Sequence, residues 1–282
     1  MIFGGEFVAG IDLVDVSLWL FTLFFVGLIF YLRKEDRREG YPLESDTTGR
    51  HEPSGVFWMP KKKSYNLPHG RGELTMASGP RDERDHAIRR TAVWPGAPYV
   101  PTGDPMQDGV GPASYANRQD VPDLTMEGLP RIAPYRASPG YEVAKQDQDP
   151  RGLDIVGLDK VVAGKVVDLW VDRSEAMIRY LEVEVPVAAV AVVTESRPVG
   201  EDPVAAAAVV GTTRVLVPMP FVKVHGGLNP KVTVEAVTAE QLQAAPRTAE
   251  ELTVTRLEED RISGYFGGGK LYATAARSEP WL

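Results

Sequence analysis

The feature that most constrains this chain is an apolar run of 20 residues, Leu13 to Leu32, followed at once by Arg33, Lys34, Arg37 and Arg38. From Val16 to Leu32 no residue is charged, and Asp15 stands near enough to one end to reach an interface. At 1.5 Å of rise per residue such a helix spans roughly 30 Å, the thickness of a bilayer's hydrocarbon core. Trp19 and Tyr31 lie toward its two ends, where amphipathic rings sit at headgroup level. A cleaved signal peptide would place basic residues first and a small-residue cleavage site afterwards. Here Glu6, Asp12 and Asp15 precede the run and the basic residues follow it. The expectation is a retained transmembrane helix over residues 13–32, with residues 1–12 outside and residues 33–282 in the cytoplasm under the positive-inside rule.

No second stretch is comparable: residues 187–210 come nearest, but Glu195, Arg197, Glu201 and Asp202 interrupt them. One anchor therefore carries a soluble part of roughly 240 residues, enough for a proper core. The absence of cysteine excludes disulfides, thiolate metal sites and cysteine nucleophiles. A net charge of -8 argues against a nucleic-acid surface, which needs clustered Lys and Arg.

The soluble part reads in two stretches. Between residues 33 and 150 prolines and glycines recur, as in Leu67-Pro68-His69-Gly70, Trp94-Pro95-Gly96 and Pro101-Thr102-Gly103-Asp104-Pro105, so that mostly extended chain and turns are expected. Phe57, Trp58, Tyr65, Trp94, Tyr99 and Tyr115 supply aromatic area that a solvated linker would lack. From about Leu153 the pattern turns to short β runs: Ile155-Val156, Gly164 to Asp172, Ile178 to Val185, Arg214 to Val217, Phe221 to Val224 and Val232 to Val237. Their alternation and turn residues point to a small antiparallel barrel over residues 151–282. Helices are expected at Ala239 to Ala244 and near Glu258 to Tyr265, and a tight turn at Gly267-Gly268-Gly269. The Ala/Val-rich stretch 187–210, with a polar centre from Thr194 to Asp202, reads as an inserted hairpin that would project and meet a neighbour.

Little chemistry is legible in the chain alone. His51, His69, His86 and His225 lack metal-ligand spacing, and no nucleophile elbow, Walker A or dinucleotide fingerprint is present. Asp168, Asp172 and Glu175 lie within eight residues, and strand alternation puts the two aspartates on one face with Glu175 at the following turn. They can form a carboxylate relay, or an ordinary solvated turn in which Arg173 and Arg179 pair the acids.

A series of motifs in order carries a resemblance. Tyr31-Leu32-Arg33-Lys34-Glu35-Asp36-Arg37-Arg38-Glu39-Gly40-Tyr41-Pro42-Leu43 stands at the membrane junction, followed by Leu67-Pro68-His69-Gly70 and Pro101-Thr102-Gly103-Asp104-Pro105-Met106. Gly109-Val110-Gly111-Pro112-Ala113-Ser114, Asp149-Pro150-Arg151-Gly152-Leu153, Trp170-Val171-Asp172-Arg173-Ser174-Glu175 and Arg179-Tyr180-Leu181-Glu182-Val183 come next. Glu258-Glu259-Asp260 and Gly267-Gly268-Gly269-Lys270-Leu271-Tyr272-Ala273 close the series. Nearly end to end, the chain resembles the H subunit of the photosynthetic reaction centre of purple bacteria.

The resemblance implies a single N-terminal transmembrane α-helix, periplasmic residues 1–12, and a mainly β cytoplasmic domain of PRC-barrel type with a short C-terminal helix. It implies a subunit that is not itself an enzyme, capping the cytoplasmic face of the L and M subunits in the photosynthetic inner membrane. Antenna subunits, a cytochrome subunit and membrane lipids are further implied neighbours. The chain itself is expected to bind no cofactor, since its span lacks an axial His ligand for a pigment. The bacteriochlorophyll, bacteriopheophytin, quinones and non-haem iron would belong to L and M. Quinone reduction draws protons from the cytoplasm, so the cap must pass them, and Asp172 and Glu175 match family acids on the route to the secondary quinone. Some relatives carry two histidines in the loop that here reads Asp123-Leu124-Thr125-Met126-Glu127-Gly128-Leu129. Without them a metal site is not expected, and Asp120, Asp123 and Glu127 would collect protons instead. The alternative reading is a membrane-tethered PRC-barrel adaptor that docks a different cytoplasmic complex.

Overall fold

A computed structural model describes residues 6–8, 11–38, 40–45, 47–51, 55–76, 84–187 and 211–278. The chain divides into two compact units, Met1–Arg84 with Arg90–Pro98, and Asp85–Arg89 with Tyr99–Leu282.

In the first unit a small antiparallel ribbon, β1 (Glu6–Val8) and β2 (Ile11–Asp12), leads into helix α1 (Leu13–Glu35). The Asp12 carboxylate caps it by accepting the Val14 N–H at 3.3 Å. Its 23 residues span about 35 Å, and none of them is buried. A helix that is apolar on every side and buries nothing of itself is suited to hydrocarbon. Its Ser17 and Thr22 hydroxyls are satisfied internally, Ser17 donating to the Leu13 carbonyl and Thr22 to that of Leu18, each at 2.8 Å. The helix end is tied to the chain that follows. Arg38 pairs with Glu35 at 2.7 Å and donates to the Lys61 carbonyl at 2.8 Å, and Lys63 reaches Glu35 at 3.0 Å. Beyond lies the hairpin β3 (Lys63–Asn66) and β4 (Glu73–Met76), so the Pro/Gly-rich stretch holds short ordered pieces between turns.

Next in the chain, β5 (Ile88–Arg90) and β6 (Tyr99–Pro101) pair. A seven-stranded sheet follows, in the order β11-β10-β9-β8-β13-β12 with β7 also on β9. These strands are β7 (Ile132–Pro134), β8 (Asp154–Val156), β9 (Val162–Asp172), β10 (Met177–Val187), β11 (Gly211–Pro218), β12 (Val222–His225) and β13 (Lys231–Val234). Leu169, Leu181, Val183 and Val217 point to the core and are fully buried. The expected mainly β domain is present, with two features the sequence did not predict: the sheet is not closed by hydrogen bonds, and β8 pairs β13 in parallel. Both follow from the corner Met219–Phe221, through which β11 continues into β12 without reversing direction. The hairpin partner of β12 must then run parallel to β8, and the two sheet edges are joined by the chain itself. The expected hairpin 187–210 falls almost wholly outside the described residues, which show only that Val187 pairs with Gly211 across its base.

Helix α2 (Ala239–Gln243) is where it was expected, held by a capping box between Thr238 and Gln241. Helix α3 (Arg256–Tyr272) has a second capping box, Thr255 with Glu258, and differs from expectation in length. It runs through Gly267, Gly268 and Gly269, which are helical and not a turn. Each costs about 1 kcal/mol of helix propensity relative to Ala, but close packing demands Gly268 and Gly269, and Gly264 one turn earlier. A Cβ on Gly264 would sit 2.7 Å from the Ala113 carbonyl oxygen, one on Gly268 2.5 Å from the Ala113 Cβ, and one on Gly269 would collide with the Ala236 carbonyl. The buried stripe Ile262, Tyr265, Phe266 and Gly269 then lies on the sheet, with Phe266 stacked on Phe221 at 5.9 Å.

Candidate functional site

The sheet carries acids from one strand into two separate clusters. Asp168, Trp170 and Asp172 occupy alternate positions of β9 and share a face, as alternation requires. Trp170, fully buried, stands between the aspartates, and each has its own arginines.

The first cluster lines a cleft of about 140 Å3 among Arg118, Asp123, Arg131, Asp172, Arg179, Arg256, Glu259 and Asp260. Asp172 is wholly buried and is the most heavily bonded acid in it. Its carboxylate accepts from the Arg131 Nε at 3.1 and 3.2 Å, from the Arg179 Nε at 3.2 Å, and from the backbone N–H groups of Ser174 and Glu175 at 2.9 and 3.1 Å. The pairing of β7 with β9 puts Ile132 opposite Asp172 and so sets Arg131 beside it. Arg179 arrives by another device. A bulge between Ile178 and Tyr180 leaves it unopposed on β10, which re-aims its side chain toward the turn. Glu175 is exposed at that turn and is met by Arg131 at 2.6 Å and Arg179 at 3.1 Å. Asp123 lies 2.7 Å from Arg256 and 3.6 Å from Arg131. The first turn of α3 fixes this loop, since Arg256 N–H donates to the Val121 carbonyl at 3.1 Å and Thr255 to the Asp120 carboxylate at 2.7 Å.

The acids of the cleft divide by proton affinity. Burial works against ionisation of Asp172, but Arg131, the two backbone N–H groups and Arg179 prevail and hold it below the ordinary carboxylate range. Asp123 is likewise held down, with Arg256 outweighing its burial. Glu259, on α3 and half-buried, goes the other way: burial and the nearby Asp123 charge push its carboxyl up, only partly countered by Arg179 and Arg131. The Tyr180 hydroxyl faces it at 3.5 Å and is itself pushed up by burial and by the Glu259 charge.

The second cluster is closed. Glu182 accepts from Arg136 at 2.5 Å, Arg214 at 2.9 Å and the Trp170 indole N–H at 3.0 Å. Arg136 also binds Asp168 at 2.8 Å, whose other oxygen accepts the Leu169 N–H at 2.8 Å.

Of the six acids singled out in the sequence, Asp172, Glu175 and Asp123 therefore gather around Arg131. Asp168 belongs to the closed cluster, Asp120 braces α3, and Glu127 lies on the rim of another hollow with Met126 and Tyr141. Arg179 pairs the acids as the solvated-turn alternative requires, but Arg173 does not. It donates instead to the Pro130 and Ala137 carbonyls at 3.2 and 2.7 Å and to Ser138 at 3.3 Å, pinning β7 to the turn. Sequence reasoning missed Arg131, Arg256 and Arg136, which lie far along the chain from the acids they bind. Glu258-Glu259-Asp260 entered it only as the start of an expected helix and as a motif. Among the described residues no group of three or more His, Cys, Asp or Glu is arranged to hold a metal ion.

A membrane-suited helix joined to a mainly β domain with this barrel-like sheet defines a class, and residues 142–228 match the PRC-barrel domain. Residues 5–137 match the family described as photosynthetic reaction centre, H-chain N-terminal region. The chain belongs to the reaction-centre H-chain family: it is a subunit of a photosynthetic reaction centre, membrane-associated and a partner of the L and M subunits.

Proposed function

We propose that the chain caps the cytoplasmic face of the L and M subunits, stabilises them, and conducts protons toward the secondary quinone. On this reading it is not an enzyme and binds no cofactor itself. Bacteriochlorophyll, bacteriopheophytin, quinones and the non-haem iron belong to L and M, while antenna subunits, a cytochrome subunit and lipids are neighbours. Residues 1–12 face the periplasm, 13–32 cross the membrane, 33–150 lie along the cytoplasmic side and 151–282 form the barrel domain. The basic junction Arg33, Lys34, Arg37 and Arg38 supports that orientation.

The observation that carries proton conduction is the cleft lined by Asp123, Asp172 and Glu259 among arginines, with the exposed Glu175 joined to it through Arg131 and Arg179. A relay needs an exposed acid to collect protons, and a less acidic one to hold them in transit. Glu175 is open to solvent and Glu259 is the acid whose proton is retained more firmly. Asp172 and Asp123 stay ionised and supply fixed negative charge that draws protons inward. Glu175→Gln and Glu259→Gln keep shape and hydrogen bonding but remove the titrating proton. Flash-induced proton uptake and transfer of the second electron should slow in both, with charge separation unchanged. Unaltered kinetics in both variants would sink the relay. Deleting residues 1–38 tests the anchor: stable stoichiometric binding of the remaining fragment to L and M in detergent would show that the helix is not needed. The match of the N-terminal region to the H-chain family supports this reading over a generic tethered adaptor, which would share the barrel alone.

A further inference from the structure

At the basic end of α1 the chain builds a notch unrelated to the acid cleft. Phe30, Tyr31 and Lys34 line it from the helix, and Val56, Phe57 and Trp58 from the segment that folds back on it, enclosing about 170 Å3. The fold-back is fastened. The Phe57 ring packs on Phe30 at 5.1 Å, its carbonyl accepts from the Arg37 guanidinium, and Arg38 and Glu35 hold Lys61 and Lys63. Val56 and Trp58, 71% and 64% exposed, are thereby kept beside helix positions 30–34, where the apolar run gives way to charge. An indole held at that level suits a membrane interface, where its apolar body and its N–H both find partners.

The charge around the notch is opposite to that of the chain. Residues 33–38 and 61–63 carry seven basic and two acidic side chains in a protein of net charge -8. Lys34, Lys61 and Lys62 form no ion pair among the described residues, and the Lys34 ammonium lies 5.8 Å from the Trp58 ring centre.

We propose that this notch binds one anionic phospholipid of the cytoplasmic leaflet, an acyl chain lying against Phe30, Val56 and Phe57 and the phosphate at Lys34 and the Tyr31 hydroxyl. An amphiphile with a negative head matches an aromatic wall and a cationic rim within one notch. Free phosphate would leave the wall uncovered, and a protein segment would need an apolar group and a carboxylate side by side. Clustered cations next to a spanning helix draw anionic lipid in the same sense. The inference rests on α1 crossing the membrane with its basic end on the cytoplasmic side.

The test uses the purified reaction-centre complex carrying the unchanged chain, Lys34→Gln or Trp58→Ala, washed in mild detergent and analysed for lipid per complex by mass spectrometry. The unchanged complex should retain one anionic phospholipid that both variants lose. After exhaustive delipidation the unchanged complex should take up one molecule of added phosphatidylglycerol but none of phosphatidylcholine, and inorganic phosphate should not displace it. Equal lipid content in all three, or equal uptake of phosphatidylcholine by the delipidated complex, overturns the proposal. So does loss of a neighbouring polypeptide from the variants with lipid unchanged, which would make the notch a protein contact. A cysteine placed at Thr48 and probed with a membrane-impermeant thiol reagent reads the orientation separately. Labelling from the wrong side refutes the span's orientation whatever the lipid result.

Discussion

Asp168 and Asp172 lie four residues apart on one strand and one face, yet they enter clusters of different character. Around Asp168 and Glu182 each carboxylate meets a guanidinium or an N–H and neither acid lies open: Glu182 is 3% exposed and takes three donors. Around Asp172 the same kinds of residue leave a cleft, an exposed Glu175 at its mouth and a Glu259 whose proton affinity is raised. The difference lies in what closes each cluster. Trp170 fills the space beside Glu182, whereas the bulge at Arg179 and the loop at Asp123 keep the Asp172 cluster open toward α3. An ion-pair network is a brace when packed and a candidate proton route when one acid escapes its arginine.

The sharpest test of the closed cluster is Glu182→Ala. It strands the buried Trp170 N–H, removes the carboxylate that Arg214 meets and leaves Arg136 with Asp168 alone as its acid, and should lower stability by about 3 kcal/mol, near the low end for breaking a buried pair because both arginines reach solvent. Thermal unfolding that matches the unchanged protein would show that the network braces nothing. Next comes Gly268→Ala, which disturbs the helix that presents Arg256 and Glu259 to the open cluster. Alanine gains about 1 kcal/mol of helix propensity, but overlap with Ala113 should leave a net loss of about 2 kcal/mol. A stabilised variant would mean that α3 can slide away from Ala113.

A smaller effect separates the acids inside the cleft by sign. Asp172 is held below its ordinary value of 3.8, so the native state binds fewer protons than the unfolded chain. Its contribution is complete above that value and is lost as pH falls through the lower native one. Glu259 is raised above 4.5, so the native state binds more protons, and its contribution is present below 4.5 and lost as pH rises through the native value. Each slope is at most about 1.4 kcal/mol per pH unit. Stability against pH measured for Asp172→Asn should lack the acid-side fall, and for Glu259→Gln it should lack the fall on raising pH from 4.5. Slopes of the same sign would break the distinction drawn between the two. The smallest stability change belongs to Glu175→Gln, about 0.5 kcal/mol or less because the site is exposed. A larger loss in a chemical unfolding series would make Glu175 a brace like Glu182.

Much of this was legible in the residues. Bilayer-length apolarity, the period of two along β9 and β10, and the order of the H-chain motifs are short-range signals that survive without partners. The span, the shared face of Asp168 and Asp172, the turn at Glu175 and the family all come from them. The length of α3 was not legible, because three consecutive glycines oppose a helix locally and only Ala113 and Ala236, pressing on Gly268 and Gly269, make the missing side chains an advantage. Nor was the sorting of the acids. Arg131 is 41 residues from Asp172 and Arg256 is 133 from Asp123, and neither distance leaves a mark in the sequence. The bulge at Arg179 shifts a side chain by one position, which alternation cannot register. What the sequence determined is where the chain is apolar, where it alternates and which family it joins. Which carboxylates keep an arginine and which one holds its proton was decided by tertiary packing, because a charge's environment is set by whatever the fold brings within a few ångströms of it.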